Sequence, residues 1–543
     1  MRSTVDHNAS GRVPAQAFHA AALLASTAVA LSLVSASPVF SQETETGLGQ
    51  TPGVGVTDAF PSFRPYAPGT PQLGIGGTPE RPTTAVLRQD EDWSWLANVP
   101  ETERRALDGL KYIPLDATGS VFATLAFDGL FGLEYFDDGS FGDNPGDDAT
   151  WHKRANVHLA LSLADRLRLY GAVKFGDVSG SRFPVSVADD DGPDLHQAFA
   201  ELSFGDLFGL PTKDAFVRAG RQELHYGAGR MISIRNGPNV RFDFDGVLGR
   251  LKVGPTIGDA FLFRPAENDD GAFDNGTDET QALWGLYTTT ALGDVLPDAG
   301  PFLDRSNLDL YYIGFGREVS PYAFQPAPLD ETRHLIGARF WTGGPPTRGW
   351  NVDLEGAYQF GRADGVLLAT GPSEADISAG FVAGSLSYGF AELPWTPVVA
   401  TRFGISSGDG DPTDETLTTF RAPFPPGRYF GEANSIGPGN VAGIGPSLSV
   451  YPVEGLSLTT RYQAFWRVTD EDGLYAPPQV PLRMTAGDAH FVGQEFALIA
   501  DYSFNDYVSL NVTGAVFDTG AFLSANPPDE DIGYVQAKLR FSF

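Results

Sequence analysis

The chain ends in Asp531-Ile-Gly-Tyr-Val-Gln-Ala-Lys-Leu-Arg-Phe-Ser-Phe543, which alternates apolar and polar residues from Val535 onward. One face carries valine, alanine, leucine and two phenylalanines, and the other carries glutamine, lysine, arginine and serine. A period of two between such faces is typical of a half-buried β-strand. A chain that ends inside a strand needs a partner for it, which a closed barrel supplies because its last strand pairs with its first. The ending therefore predicts an all-β fold, a transmembrane antiparallel β-barrel with lipid against the apolar face.

The composition excludes several other classes of protein. The 543 residues contain no Cys, which excludes disulfide frameworks and cysteine metal sites. The formal net charge of -31 argues against nucleic acid as a partner, because phosphate binding needs a basic surface. The eight histidines lack the spacing of a helical metal site, so we predict no metal and no cofactor.

The N-terminus has the pattern of a secretory signal peptide. Arg2 and Arg12 precede an apolar run over 20–34 that only serine and threonine interrupt. We predict a signal peptide over 1–41, cleaved after Ser41, with cleavage after Ala36 as the alternative. A membrane anchor is the other interpretation, although the run is shorter than the ~20 apolar residues of a spanning helix. An exported chain with alternating strands and no second apolar run is expected in the cell outer membrane.

Residues 42–110 are predicted to be a flexible periplasmic linker that contains a short helix. The part over 42–84 is rich in proline, glycine and threonine and has little periodicity, so it is expected to be disordered. A short helix is predicted over 98–110, where Asn98 is a candidate N-cap ahead of Pro100. The barrel is predicted over 111–543.

Alternating stretches recur through the barrel region and predict about eighteen strands. An even count returns the C-terminus to the periplasm, as bacterial barrels require. The predicted strands lie near 120–136, 151–163, 167–175, 194–204, 215–223, 240–253, 260–264, 281–292, 308–317, 331–341, 350–361, 376–390, 397–407, 441–451, 456–468, 487–503, 508–517 and 531–543.

The connections between these strands alternate between short and long, with 205–214 and 293–307 as the main exceptions. A β-sandwich or a propeller is the soluble alternative for many alternating strands. The signal sequence, the turn asymmetry and aromatic residues near strand ends favour the membrane barrel. The short turns are 164–166, 452–455 and 504–507, the long and mostly acidic ones are 137–150, 176–193, 265–280 and 408–440, and the aromatic residues include Trp151, Trp341, Trp350, Tyr388, Trp395 and Tyr502.

The alternation also predicts which side chains line the lumen. A basic side chain on the lipid face would cost ~2–4 kcal/mol at mid-membrane depth, so charged residues are expected to point inward. The predicted lumen cations outside the main basic segment are Arg154, Lys174, Arg461, Lys538 and Arg540.

The main basic segment spans 218–264 and holds eight basic and four acidic residues, a local balance of +4 in an acidic chain. Guanidinium groups match carboxylates through paired donors, so arginines in a constriction would favour a passenger that bears carboxylates. The alternative is that these arginines pair with barrel carboxylates and brace the wall. The predicted pore-lining residues of this segment are Arg218, Arg221, Arg230, Arg235, Arg241 and Arg250.

The stretch Arg221-Gln-Glu-Leu-His-Tyr-Gly-Ala-Gly-Arg230, followed by Arg235, Pro238-Asn-Val-Arg241 and Phe244-Asp-Gly246, resembles the signature of the alginate export (alginate porin) family. Leu110-Lys-Tyr-Ile-Pro-Leu115 and Asp194-Leu-His-Gln-Ala-Phe199 are also similar to that family, and the resemblance spans roughly 110–543.

This resemblance implies an eighteen-stranded outer-membrane barrel with an arginine-rich constriction, through which the uronate polymer alginate diffuses outward. It implies that Arg221, Arg230, Arg235 and Arg241 are lumen or loop cations, and that Asn239 and Asp245 hold the turns of the segment. The expected partners are an anionic polysaccharide or oligosaccharide, outer-membrane lipid and periplasmic export partners. Acidic runs such as 189–191 depart from the pattern, because they would repel a polyanion unless they bind cations or fold aside.

Other functions remain open at this point. The same architecture could serve as a general porin or one selective for small anions, or as an adhesive or structural barrel. The match Gly404-Ile-Ser-Ser-Gly408 makes Ser406 a candidate nucleophile, but an acidic loop follows where a nucleophile elbow needs a helix, so no enzyme is predicted. The Asp runs at 189–191 and 269–270 are interpreted as solvated loops, with Ca²⁺ binding as the alternative.

Overall fold

A single antiparallel sheet closes on itself to form the body of the protein. The computed structural model describes residues 86–543 except 270, 345, 369–370, 427–429, 434 and 485–486. Within this described part, eighteen long strands form the barrel, and the last pairs with the first. The strands are β1 Val121–Asp137, β2 Asp148–Leu163, β3 Leu167–Ser179, β4 Asp191–Ser203, β5 Ala215–Gln222, β6 Phe244–Val253, β7 Thr256–Pro265, β8 Gln281–Ala291, β9 Ser306–Ser320, β10 Leu329–Thr342, β11 Gly349–Leu368, β12 Gly371–Gly389, β13 Val398–Ser406, β14 Val441–Val450, β15 Leu456–Trp466, β16 Phe491–Ser503, β17 Val508–Thr519 and β18 Ile532–Ser542.

The predicted barrel and its strand count are confirmed, and the C-terminal stretch closes the barrel. In the pairing of β1 with β18, Leu133 lies opposite Ala537 and Gly129 lies opposite Phe541. The final residue extends this pairing, because the backbone N–H of Phe543 donates to the carbonyl of Phe127 at 3.0 Å. The sheet therefore has no free edge along most of β18.

The strand side chains alternate between a buried and an exposed face, as the period of two requires. On β18, Gln536 is buried, whereas Leu539 and Phe541 are 43% and 38% exposed. Leu262 on β7 and Leu286 on β8 are similarly exposed, at 64% and 56%. The exposed apolar face is the lipid side, and the polar face lines the lumen.

Both termini of the barrel lie at its periplasmic end together with the short turns. The turn between β6 and β7 has only two residues, and the first, Gly254, adopts a φ of +56°. The longer periplasmic connections contain short helices over Gly205–Phe208, Thr212–Asp214, Leu292–Val295 and Leu303–Arg305. β11 and β12 continue well past their predicted ends as a paired hairpin on the external side, where Asp364 lies opposite Glu374.

The segment before the barrel is packed against it in its described part. The helix predicted over 98–110 is instead a series of short pieces, because Pro100 has no N–H to donate and interrupts helical bonding. Ile113–Pro114 then pairs with β1, with Ile113 opposite Ala123. The signal peptide and the linker up to residue 85 lie outside the described residues. The pieces are 3-10 helices over Arg88–Asp90, Ser94–Asn98 and Glu101–Glu103 and an α-helix over Asp108–Lys111.

The aromatic residues near strand ends divide between the two faces. Trp151, Trp350 and Trp395 are 42%, 52% and 60% exposed, as interfacial residues should be. Trp341 was expected among them but is buried in the lumen, where its indole N–H donates to Asp309 at 3.0 Å. It shares the inward face of β10 with Arg339, two residues earlier. The described residues contain no helix long and apolar enough to cross a membrane.

Candidate functional site

Two long external loops fold back into the barrel and narrow its lumen. The first, over 223–243, contains most of the stretch that resembles the family signature. The second, over 407–440, meets it where Ile232 and Phe424 form a parallel β-bridge and the N–H of Ser233 donates to the carbonyl of Phe424 at 2.9 Å. Buried apolar residues of both loops, among them Leu224, Met231, Ile232, Phe420, Phe424 and Ile436, pack with inward-facing aromatic residues of the wall.

Three arginines converge on one carboxylate beside the first of these loops. The carboxylate of Asp128 on β1 lies 3.0 Å from Arg241, 3.6 Å from Arg154 and 4.0 Å from Arg540. Arg241 also lies 3.5 Å from the carboxylate of Glu223. We call Asp128, Arg154, Arg241 and Arg540 the Asp128 cluster. Its three guanidinium groups converge on this carboxylate, and Glu223 provides a second carboxylate to Arg241.

Cations of the wall also hold the tip of the first loop by its backbone. Arg154 donates to the carbonyls of Asn236 and Pro238 at 3.5 and 3.4 Å. Lys538 donates to the carbonyl of Gly237 at 3.3 Å and lies 2.8 Å from the carboxylate of Glu134. The expected lumen residues Arg154, Arg241, Lys538 and Arg540 are therefore brought together, although they come from three parts of the chain far apart in sequence.

Lys174 belongs to a buried network on the same side of the barrel. Its ammonium lies 3.4 Å from both Asp191 and Asp243. His196 bridges Asp243 and Glu223, with ring nitrogens 3.2 and 3.0 Å from their carboxylates. Two of the four partners sit on strands and two on the first loop, so the network fixes that loop to the wall.

Arg218 and Arg250 point into the lumen nearer the periplasmic end, and both are paired. Arg218 lies 2.6 Å from Glu201 and 2.8 Å from Asp90 of the segment before the barrel. Arg250 lies 2.7 Å from Asp259 on the neighbouring strand.

Arg230 and Arg235 lie on the first loop and have different environments. Arg230 lies 2.9 Å from Asp353 and 2.7 Å from Glu355, both on β11. Burial lowers the pKa of Arg230, but these two carboxylates raise it above its ordinary value overall. Arg235 instead donates to the carbonyl of Val240 at 3.0 Å and stacks on Phe242, and burial lowers its pKa to about 10.

Arg461 on β15 pairs with Glu432 of the second loop. The carboxylate of Glu495 on β16 accepts the backbone N–H groups of Glu432 and Ala433 at 2.7 and 3.0 Å. These contacts fix the second loop to the barrel wall at β15 and β16.

Arg221 differs from the other expected lumen cations, because it lies on the outward face near the external rim. Residues 218 and 221 are three positions apart, and an odd separation places two residues of a strand on opposite faces. Arg221 lies opposite Asp245, 2.7 Å from its carboxylate, on the face that carries the exposed Val217 and Val247. It also donates to the carbonyl of Asn275 at 3.1 Å.

Asn239 holds the end of the first loop to a neighbouring external loop. Its N–H donates to Asp189 at 3.0 Å, and its side-chain amide donates to the carbonyl of Asp177 at 3.2 Å. Asp245 holds Arg221 and accepts from Thr277 at 2.7 Å. Both residues therefore anchor loops at the external rim.

Ser406 lies at the end of β13, where it is 1% exposed and its hydroxyl donates to the carbonyl of Val441 at 3.3 Å. The loop that follows contains no described helix, so Ser406 is not presented on a strand-to-helix elbow. Among the residues that the structure describes, no group of three or more His, Asp or Glu side chains is arranged to hold a metal ion.

The sequence reasoning missed a row of stacked rings in the lumen. Tyr287 lies between Tyr226 and Tyr311, with ring centroids 4.8 and 5.4 Å away. The hydroxyls of Tyr287 and Tyr311 donate to Asp309 at 2.8 Å and to Glu355 at 2.9 Å. The alternation of β8 and β9 places Tyr287 and Tyr311 on the inward face, so the sequence could have indicated these two rings. Tyr226 comes from the first loop, whose course the alternation does not predict.

Comparison with known proteins agrees with this architecture. The profile of the alginate export family matches residues 124–535. Among solved structures, the chain is similar to Pseudomonas aeruginosa OccK9 (OpdG), with 11% identity over 78% of this chain and 98% of that chain and a TM-score of 0.51. It is also similar to Acinetobacter baumannii OccAB1, with 14% identity over 80% of this chain and 99% of that chain and a TM-score of 0.50. No curated protein sequence matches the chain.

At such low identity these two structures support the fold alone. The match to the family covers most of the chain and nearly the whole barrel, from the middle of β1 to β18. Together with the closed barrel and its charged lumen, it identifies a channel of the bacterial outer membrane. The chain belongs to the alginate export family.

Proposed function

We propose that this channel passes an anionic polysaccharide such as alginate out of the cell by diffusion, along the arginine-rich side of its lumen. The observation that carries the proposal is the Asp128 cluster, in which three guanidinium groups from distant parts of the chain converge within 4.0 Å of one carboxylate. A guanidinium group can offer two parallel donors to a carboxylate, so a uronate unit suits such a surface. Catalysis has no part in this proposal, and residues 1–41 are proposed to be the signal peptide that exports the chain.

The acidic external loops are compatible with an acidic passenger. Asp189 accepts the N–H of Asn239 at 3.0 Å, and Asp191 is buried 3.4 Å from Lys174. Asp409 is 1% exposed and accepts the N–H groups of Asp411 and Thr418 at 3.1 and 3.3 Å. These carboxylates are occupied by local donors, which reduces the repulsion that an acidic polymer would meet.

A channel for small anions is the second candidate, because the two loops pack against each other inside the barrel. Contact between Ile232 and Phe424 leaves a narrower route than an open barrel of this size would have. Passage of a polymer needs these loops to separate, whereas a small anion needs only a gap beside them.

Recording of single channels in planar bilayers distinguishes these functions. The polymer proposal expects an anion-selective current that oligouronates block at a concentration at least about tenfold below that of neutral oligosaccharides of equal length. An anion-selective current that is indifferent to oligouronates would support the small-anion channel. A cation-selective current, or no conductance at all, would overturn both.

A further inference from the structure

The chain segment just before the barrel enters the lumen from the periplasmic side. Leu87, Arg88 and Gln89 are 4%, 4% and 1% exposed, although they lie outside the barrel wall. We call residues 86–90 the inner segment. The chain leaves the lumen after it and continues through the short helices at the periplasmic mouth.

Successive residues of the inner segment contact separate parts of the lumen. The guanidinium of Arg88 donates to the backbone carbonyl of Phe543, at the end of the chain. The amide of Gln89 makes two bonds to the backbone of Glu223, donating to its carbonyl at 2.8 Å and accepting its N–H at 3.2 Å. The carboxylate of Asp90 lies 2.8 Å from Arg218 on β5. The inner segment therefore lies across the wall between β18 and β5.

The residues that follow the inner segment are anchored at the periplasmic mouth. Trp93 and Leu96 pack with Tyr112 and Phe122 in a separate apolar cluster. The ammonium of Lys111 lies over the rings of Trp93 and Phe543, 5.1 and 5.4 Å from their centroids. This anchor keeps the inner segment close to its site, so its local concentration stays high even when its own contacts break.

The contact between Asp90 and Arg218 has the same chemistry that a uronate polymer would offer. A carboxylate from outside the wall accepts from Nη2 of a guanidinium that is buried in the lumen, and Glu201 accepts from Nε and Nη2 of the same group. Arg218 lies toward the periplasmic end, where an exported polymer enters. A polymer carboxylate and the Asp90 carboxylate cannot occupy the same donor together.

We propose that Arg218 is the first carboxylate-binding site of the export path, and that residues 86–90 fill it as an internal plug in the resting channel. The identity of the displacing ligand rests on the proposed function above, whereas the occlusion by residues 86–90 does not. An acidic polymer at the periplasmic mouth displaces the plug by competing with Asp90 for Arg218.

The test compares two variants of the full chain in planar bilayers. Gln89→Ala/Asp90→Ala removes the contacts of the plug and leaves Arg218 in place, and we expect severalfold higher conductance and block by oligouronates at severalfold lower concentration. Asp92→Ala is the matched control, because Asp92 pairs with Lys213 at 2.7 Å outside the lumen and both side chains are about half exposed. Equal conductance and equal block in wild type and in the double variant would overturn the plug.

A reversible crosslink tests occlusion without depending on the loss of contacts. The chain has no Cys, so a reducible bis-thiosulfonate reagent reacts only with the introduced thiols of Gln89→Cys/Glu223→Cys. We expect conductance to fall on crosslinking and to rise again on reduction, while the heat-dependent gel mobility of the barrel confirms folding. If crosslinking leaves the conductance unchanged, the plug is rejected, even if oligouronates still block the channel. If the conductance falls on crosslinking but oligouronates do not block the channel, the proposed passenger is rejected instead.

Discussion

The guanidinium of Arg241 lies 3.0 Å from the carboxylate of Asp128, which joins the loop after β5 to the first strand of the barrel. Arg154 and Arg540 approach the same carboxylate from β2 and β18. Arg241 therefore comes from the stretch that resembles the family signature, whereas the other three residues of the cluster lie on strands of the barrel wall. If the charge of these guanidinium groups acts on passing ions, as proposed above, removing part of it should change the ion selectivity.

The first prediction concerns ion selectivity. Replacing Arg154 and Arg540 together by Gln removes two charges from the Asp128 cluster, so we expect the reversal potential in a salt gradient to move toward that of a non-selective pore. Arg221→Gln is the matched control, because Arg221 lies on the outward face and pairs with Asp245. Equal shifts in the two variants would show that selectivity does not arise in the lumen.

The second prediction concerns a buried carboxylate between two arginines near the external end. Glu331 is 1% exposed and lies 2.8 Å from Arg333 and 3.3 Å from Arg421 of the second loop. We expect Glu331→Ala to cost about 3–5 kcal/mol of barrel stability, because it leaves buried cations without their counter-charge. The measurement is the denaturant dependence of heat-modifiable gel mobility.

An exposed pair provides the control for Glu331. Arg362 and Glu374 lie 2.6 Å apart, and their side chains are 67% and 52% exposed. We expect Glu374→Ala to change stability by no more than about 1 kcal/mol. A similar loss in both variants would contradict the role of burial.

The third prediction concerns Asn440, which ties the second loop to the loop over 467–490. Its side-chain amide donates to the carbonyls of Thr469, Asp472 and Gly473 at 3.0 to 3.1 Å and accepts the N–H of Thr469 at 2.9 Å. We expect Asn440→Ala to release this loop and to increase its hydrogen–deuterium exchange by tenfold or more, since each lost buried bond costs about 1–3 kcal/mol.

The backbone of Asn440 allows a second substitution to separate two causes. Its φ is +49°, a conformation that glycine adopts freely and alanine does not. We expect Asn440→Gly to weaken docking of the loop as well, but with a loss of docking free energy about 1–2 kcal/mol smaller than in Asn440→Ala. A hydrogen–deuterium exchange rate in Asn440→Gly equal to that of the wild type would mean that the hydrogen bonds of the Asn440 amide do not stabilise the loop.

The fourth prediction concerns pH. Burial, together with the charges of Asp472 and Asp414, raises the pKa of Asp409 to about 6, although the N–H groups of Asp411 and Thr418 act in the opposite direction. The docked loop therefore binds a proton more readily than the free loop, whose carboxyl titrates near pH 4. Docking should strengthen as pH falls from 7 through 6 toward 4, and it should weaken as pH rises through the same range.

Hydrogen–deuterium exchange of residues 407–426, corrected for its intrinsic pH dependence, measures this effect. We expect severalfold greater protection at pH 5 than at pH 7.5 in the wild type. In Asp409→Asn the difference should largely disappear, because a neutral amide replaces the titrating group. An unchanged pH response in that variant would exclude Asp409 as its source.

The strands were predictable because alternation is a local property. The polar set of β18, including Lys538 and Arg540, was assigned to the lumen from the period of two alone, and both residues contact lumen partners. The inward position of Trp341 was predictable by the same rule, because Trp341 and Arg339 lie two residues apart on one strand and therefore share a face. Arg221 is a similar case, since its odd separation from Arg218 places it on the other face.

The loops were not predictable in the same way. The strand expected from residue 240 begins only at Phe244, and the residues before it turn into the lumen. Their course depends on contacts such as that between Ile232 and Phe424, which are far apart in the chain. Nothing in the local pattern around either residue specifies the other.

The sequence by itself determined that this protein is a barrel with an even number of strands, an apolar outer face and a charged interior. The physical reason is that each strand must satisfy its backbone through its neighbours and present alternate side chains to lipid and to water. Only the tertiary structure decided which cations share which carboxylates, that two external loops enter the lumen, and that Asp90 reaches Arg218. These features depend on contacts between distant parts of the chain, both apolar packing of the loops and the pairing of buried charges, and a buried charge is stable only where the fold brings it a partner.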